Sequence, residues 1–190
     1  MAVQLYLIPL GKVKAMTGAT TDEQAAVQSR AVEQMIESYT GLTLFKKDIT
    51  LERVTLPYGL QKVFRPACLP VNSVEEIRYG DGQVYSGSVK CGTYGVELVR
   101  MEGIKPQISA LEISYNAGLY DDFADTPAIL QFAAEKLLYW FFVANEGITG
   151  FQSEHLGEYS YTKGTLVRGI PQEVASMLDS VRLVWAFYPC

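Results

Sequence analysis

A single histidine and three cysteines leave this 190-residue chain little material for the commoner kinds of site chemistry. Cys68, Cys91 and Cys190 are an odd number without CxxC spacing, so neither a disulfide framework nor a zinc site is indicated. Positive charge is scarce as well. The formal net charge is −5, which argues against a nonspecific DNA clamp, because such a clamp displaces counterions with basic residues. Long apolar runs are missing: the greasiest stretch, near Tyr139, is short and interrupted by Glu135, Lys136 and Glu146, which excludes a membrane span there. No apolar leader follows basic residues at the start, and no repeat or low-complexity tail is evident. The expectation is a soluble protein of a reducing compartment, one domain or one domain with a small appendage.

What the chain does have is the stretch from Thr126 to Asn145 (TPAILQFAAEKLLYWFFVAN). Pro127 follows a candidate N-cap, Thr126, and Gly147 lies just past the end, which is helix punctuation. Ile129, Leu130, Ala133, Ala134, Leu137, Leu138, Phe141 and Phe142 recur at the helical period. Tyr139, Trp140 and Val143 widen the apolar surface beyond one stripe. Such a helix needs cover on more than one side.

Earlier in the chain, Ile8 to Gly18 predicts a short helix entered through Pro9. Thr20 with Glu23 forms a candidate capping box for a second, amphipathic helix over Gln24 to Thr40, ended by Gly41. The period then changes. Leu44, Ile49, Leu51 and Val54 alternate with polar residues as in a half-buried strand, with an irregularity between Leu51 and Val54. Further strand signals surround Val63 and Phe64, Val74 to Tyr79, Val84 to Val99 and Leu111 to Tyr115, and Tyr79-Gly80-Asp81-Gly82-Gln83 marks a tight hairpin turn of the primed type. Ile148 to Gly169 shows no period and is expected to be a linker. A terminal helix follows over Gln172 to Ala186, with Pro171 at its start.

Catalytic constellations are weak. His155 lies in the expected linker, and no nucleophile-elbow pattern surrounds any serine. Asp121, Asp122 and Asp125 cluster ahead of the long helix, but their spacing is not that of a calcium loop, and acids there suit the positive end of the helix dipole. Glu75 and Glu76 are adjacent in a strand and point to opposite faces. The glycines around Asp81 lack the strand-to-helix context of a phosphate cradle. No catalytic residue, cofactor or metal is assigned.

The order of segments resembles the head-tail connector, or head completion adaptor, proteins of tailed bacteriophages, in the longer version that carries a β insertion. Four places carry the resemblance: Ala31 to Gly41 (AVEQMIESYTG), with Glu37, Tyr39, Thr40 and Gly41; Leu69 to Tyr79 (LPVNSVEEIRY); Ile113 to Leu119 (ISYNAGL), followed by Pro127 and Ile129; and Gly157 to Tyr161 (GEYSY) with Ile170, Pro171 and Val174. Leu119 stands where an aromatic is common in the family.

The resemblance implies a noncatalytic ring, commonly of twelve copies, that joins the capsid portal protein to the next neck or tail protein and lets DNA pass without sequence-specific binding. A virion location at the head-tail junction follows, preceded by the host cytoplasm. A tail completion or stopper protein is the nearest alternative, and a small metal-dependent hydrolase the alternative of a different class. The fold expected is α+β, a helical core with a small antiparallel β-sheet inserted between the second and third helices. Residues 1–147 would form that core with the insertion at about 44–115, and 148–190 a linker and C-terminal docking helix. Lateral packing is expected from the second and third helices, and contact with the portal or a neighbour from Tyr159, Tyr161, Val174, Leu178, Val181 and Trp185.

Overall fold

The structure, a computed structural model, describes residues 6–56, 63–93, 95–98, 110–144, 153–156, 159–162 and 166–186. Two compact units divide the chain, one built from Met1–Thr40 with Asp122–Val184, the other chiefly from Gly41–Asp121. The chain is mixed α+β.

In the first unit, α1 (Leu10–Thr17) starts at Pro9 and stops at Gly18, whose φ of +73° is the left-handed conformation that glycine adopts without a steric penalty. The following helix, α2 (Asp22–Thr40), buries Ala25, Val32, Ile36 and Tyr39 at helical spacing. Its capping box is displaced by one residue from the expected Thr20–Glu23 pair. The Gln24 N–H donates to Thr21 Oγ1 (3.2 Å), and Gln24 Oε1 accepts from the Thr20 N–H (3.1 Å). Ahead of α1, Tyr6, Leu7 and Ile8 are buried. They are strapped to α2: the Leu7 N–H donates to Glu33, Ser29 Oγ donates to the Ile8 carbonyl (3.3 Å), and the Arg30 guanidinium lies 5.8 Å from the Tyr6 ring centroid.

The long helix expected over Thr126 to Asn145 is shorter and compound. α3 (Ala128–Leu138) begins after Pro127, with no side-chain cap from Thr126, and passes into a π-helical turn at Tyr139–Val143. Thr126 instead turns its hydroxyl to the Asp122 carbonyl (3.3 Å). After the turn, β7 (Ser153–Leu156) and β8 (Tyr159–Thr162) form an antiparallel hairpin, and β9 (Leu166–Val167) pairs with β10 (Ile170–Pro171). The stretch expected to be a linker therefore contains strands, which its Gly- and Ser-rich composition hides because short hairpins carry too few residues to set up a period. α4 (Gln172–Ala186) completes this unit, and α1 packs on α2, α2 on α3 and the π turn on α1.

The second unit lies between α2 and α3 in sequence. It is not one small sheet on a helical core but two three-stranded antiparallel sheets with their own hydrophobic interior. In the first, β6 (Ala110–Ala117) is central, flanked by β1 (Lys47–Thr55) and β3 (Val71–Tyr79). In the second, β5 (Gly95–Leu98) lies between β2 (Val63–Phe64) and β4 (Val89–Gly92). Because β6 is covered on both faces, Leu111, Ile113 and Tyr115 are buried and so are Ser114 and Ala110. The irregularity in β1 falls between Ile49 and Glu52, where Leu51 takes φ +52° and donates its N–H to Ser114 Oγ (3.1 Å). The turn at Tyr79 is a three-residue loop, not the primed two-residue form. Tyr79 donates to the Gln83 carbonyl (2.8 Å), Gly82 donates to the Tyr79 carbonyl (2.8 Å), and Gly82 closes the loop at φ +85°.

Glu52 ties this unit together. Its carboxylate accepts from the Ala67 N–H (2.8 Å) and from the Tyr115 hydroxyl, which itself accepts from the Cys68 N–H (3.2 Å). Burial, reinforced by the bond to Glu52, raises the Tyr115 pKa, so the phenol keeps its proton and its donor role.

Gly118, at φ +129°, passes so close to Phe45 that a Cβ would collide with the Phe45 carbonyl. Gly118→Ala is expected to destabilise the protein by roughly 2–3 kcal/mol in urea unfolding, from backbone strain plus the clash. Gly80→Ala, where a Cβ meets nothing nearer than 3.5 Å, is the control and should change little. A second prediction concerns the N-terminal strap. Burial raises the Glu33 pKa above 4.5, outweighing the opposing hydrogen bond from Leu7. A carboxyl with a raised folded pKa contributes stability that is full below the unfolded pKa and lost as pH rises through the folded one. Glu33→Gln should flatten the dependence of the unfolding midpoint on pH just above 4.5, and an unaltered slope would refute it.

Candidate assembly interface

The helical unit carries two features that a folded single chain does not explain. The first is a stripe on α3. Leu130, Ala133, Ala134, Leu137 and Leu138 face inward, while the outer side holds Ile129 and Phe132 and continues through the π turn to Tyr139 and Val143. These four are 41%, 48%, 55% and 38% exposed and recur along one side of the helical segment, with Lys136 between Phe132 and Tyr139. Burying a large apolar side chain is worth about 1.5–3 kcal/mol, so leaving four in water forgoes a substantial gain. Lys136 partly shields the stripe: its ammonium lies 5.5 Å from the Phe132 ring centroid and 3.0 Å from the Glu173 carboxylate.

The π turn has a direct geometric effect. Its Ala144 N–H reaches back to the Tyr139 carbonyl (2.9 Å), five residues instead of four. None of Tyr139 to Val143 is fully buried: Tyr139 and Val143 are exposed, and Trp140, Phe141 and Phe142 are half-buried.

The second feature is an open cleft of about 520 Å³ on the same unit. One wall is α2, with Ala31, Gln34, Met35, Ser38 and Tyr39; Phe141 of the π turn and Arg168, Gly169 and Ile170 form the rest. The Tyr39 hydroxyl donates to Asp179 Oδ1 (3.0 Å), which fixes its ring, and the Arg168 guanidinium sits 5.9 Å from that ring's centroid. Arg168 and Gly169 link β9 to β10 with φ of +50° and +83°, the paired positive values that a two-residue type I′ turn requires. Arginine at the first of these positions costs about 1–2 kcal/mol relative to glycine.

The residues expected to dock fall in different places. Val174, Leu178 and Val181 are 2%, 0% and 7% exposed, so they hold α4 in the chain's own interior and are not available as a surface in the single chain. The periodicity that singled them out is the core face of an amphipathic helix, whose other side carries exposed Gln172, Glu173, Ser176, Asp179 and Ser180. Tyr159 and Tyr161 lie on β8 opposite Leu156 and Glu154, and Trp185 lies in the last turn of α4; their side chains lie outside the described residues, as does that of His155. Asp122 folds back on its own loop, accepting from the Ala124 and Asp125 N–H groups (2.7 and 3.2 Å), while Asp121 pairs with Lys46 (2.8 Å). Among the described residues no group of three His, Cys, Asp or Glu could hold a metal ion. The stripe and the cleft escaped sequence analysis, although the surplus apolar residues Tyr139 and Val143 were its visible signal.

Tyr39→Phe is expected to cost about 0.5–1.5 kcal/mol through loss of the bond to Asp179. Asp179→Ala should cost a similar amount, and the Y39F/D179A double variant should cost less than the sum. Strict additivity in denaturant unfolding would show that the bond contributes nothing.

No protein-family model matches the chain, and no curated protein does. Solved structures do match. A chain from the neck of an empty gene transfer agent particle, computed with C6 symmetry, superposes with a TM-score of 0.60 at 16% identity, over 92% of this chain and 88% of that one. A chain from the virion of a native gene transfer agent particle gives 0.59 at 16% identity, over 97% and 91%. A third, from the neck of the native particle computed with C12 symmetry, gives 0.53 at 16% identity, over 92% and 87%. At that identity the likeness is one of fold, and it extends over nearly the whole of both chains.

Proposed function

We propose that the chain is a noncatalytic structural protein of a phage-like neck, a head-tail connector that assembles as a ring between the capsid portal and the next neck or tail protein. The observation that carries this is the fold likeness to gene transfer agent neck chains over 92% of the sequence, helical unit and β unit alike. The motif resemblance to phage adaptors is independent of that superposition and leads to the same place. Those neck structures were computed with C6 and C12 symmetry; we assign twelve copies to the ring formed here. The exposed α3 stripe supports assembly, since it supplies apolar surface that a neighbour would bury.

In this role the helical unit and the β unit make the body of the ring, the β7–β8 hairpin and the end of α4 face its axial neighbours, and no bond is made or broken. Portal contact is assigned to the β7–β8 hairpin with Tyr159 and Tyr161 and to the end of α4 at Trp185, while Val174, Leu178 and Val181 keep α4 seated. A formal charge of −5 suits a channel through which DNA slides without sticking. No described helix is long and apolar enough to cross a membrane. The protein would reside in the virion at the head-tail junction after assembly from the host cytoplasm.

Light scattering on the purified chain, alone and mixed with its portal ring, tests the proposal. A defined high-order ring in either case is expected. A chain that stays a monomer in both, with no portal association, would remove the adaptor reading and leave a stopper or tail completion role, or a metal-dependent hydrolase, to be screened.

A further inference from the structure

Copies that meet head to tail around a ring need two different, complementary patches on each copy, because one self-complementary patch closes into a dimer. The helical unit has a pair of this kind. The α3 stripe projects outward around Phe132, and the α2 cleft is concave, with half-buried Met35 and Phe141 at its floor. Its volume of about 520 Å³ lies inside the range of about 300–1,000 Å³ typical of sites that enclose an apolar guest.

Position and charge agree with this pairing. Tyr139 belongs to the stripe and Phe141 to the cleft, two residues apart on one helical segment. In the π turn, with a smaller angle per residue than in an α-helix, residues two apart still project to nearly opposite sides, as the two contact faces of a ring subunit must. Lys12 and Lys136 are already paired with Glu135 and Glu173. Arg168, exposed at the cleft rim, has no carboxylate partner among the described residues, and Asp125, exposed just ahead of α3, has no cationic partner among them.

The geometry points to a heterologous contact between copies of this chain, in which the α3 stripe of one copy, centred on Phe132, fills the α2 cleft of the next and Asp125 meets Arg168. The inference rests on the ring reading above and names the surfaces that make the ring. The apolar fill supplies the affinity, and the ion pair at its edge fixes register. Exclusion of water by the apolar fill strengthens the attraction between the two charges.

The experiment uses the full chain under whichever condition, alone or on the portal ring, gives the wild-type ring. Phe132→Asp blocks the stripe and Ser38→Trp plugs the cleft; both positions are exposed, so melting curves should match wild type. Each variant alone should stay monomeric in light scattering. Mixed in equal amounts, they should form a one-to-one pair and grow no further, because one intact stripe then meets one intact cleft. Asp125→Arg and Arg168→Asp should each weaken assembly roughly tenfold or more, and the double variant should recover most of it. Normal assembly by Ser38→Trp with loss in Phe132→Asp would mean that the stripe meets a surface other than the cleft and would overturn the contact. So would rings formed by both variants, although the connector reading would survive. A wild-type chain that forms no ring even with the portal would overturn both.

Discussion

A helix packed in a small unit can hide one side, and α3 is apolar on two. The inner face at Leu130, Ala133, Ala134, Leu137 and Leu138 is consumed by the chain's own interior. The outer face stays partly exposed, with Lys136 over Phe132, and the hydrophobic effect penalises what remains wet. The rest of the helical unit follows from this. α2 packs on α3 and α1 on the π turn, which leaves Tyr139 and Val143 exposed.

The β unit obeys a different constraint. The central strand β6 alternates Leu111, Ile113 and Tyr115 with Glu112, Ser114 and Asn116, and the polar groups buried within it must find partners nearby. Ser114 does so through the bulged Leu51, and Tyr115 through Glu52 and Cys68. The carboxylate of Glu52 thereby joins the edge of β1, the loop before β3 and the centre of β6 in one network. Such a network is stable only when each member is partnered, and this one fastens the loop before β3 to β1 and β6.

Much of the element order is visible in the sequence because strong local signals mark it. Pro9, Gly18, Gly41 and Pro127 fix helix ends by backbone stereochemistry alone, and α4 begins one residue past Pro171. Where two local solutions differ by one residue, the sequence is mute: Thr20 and Thr21 both suit a cap, and the bulge in β1 shifts to wherever Ser114 can receive a free N–H. The π turn and the β7–β8 hairpin are too short to set up a period of their own. The stripe on α3 lay in plain view as surplus apolar residues, but whether each surplus side chain was covered depends on elements far away in sequence. Val174, Leu178 and Val181 illustrate the converse: a helical period identifies a buried face without saying what buries it.

The turn that carries Arg168 has a consequence for anyone altering this protein. Asn or Gly would suit its left-handed backbone better, and a search for heat-resistant variants would select them there. Such a variant would lose the guanidinium over Tyr39 and leave the cleft with an uncharged rim. At position 168, an unstrained turn and a charged cleft rim are opposing demands.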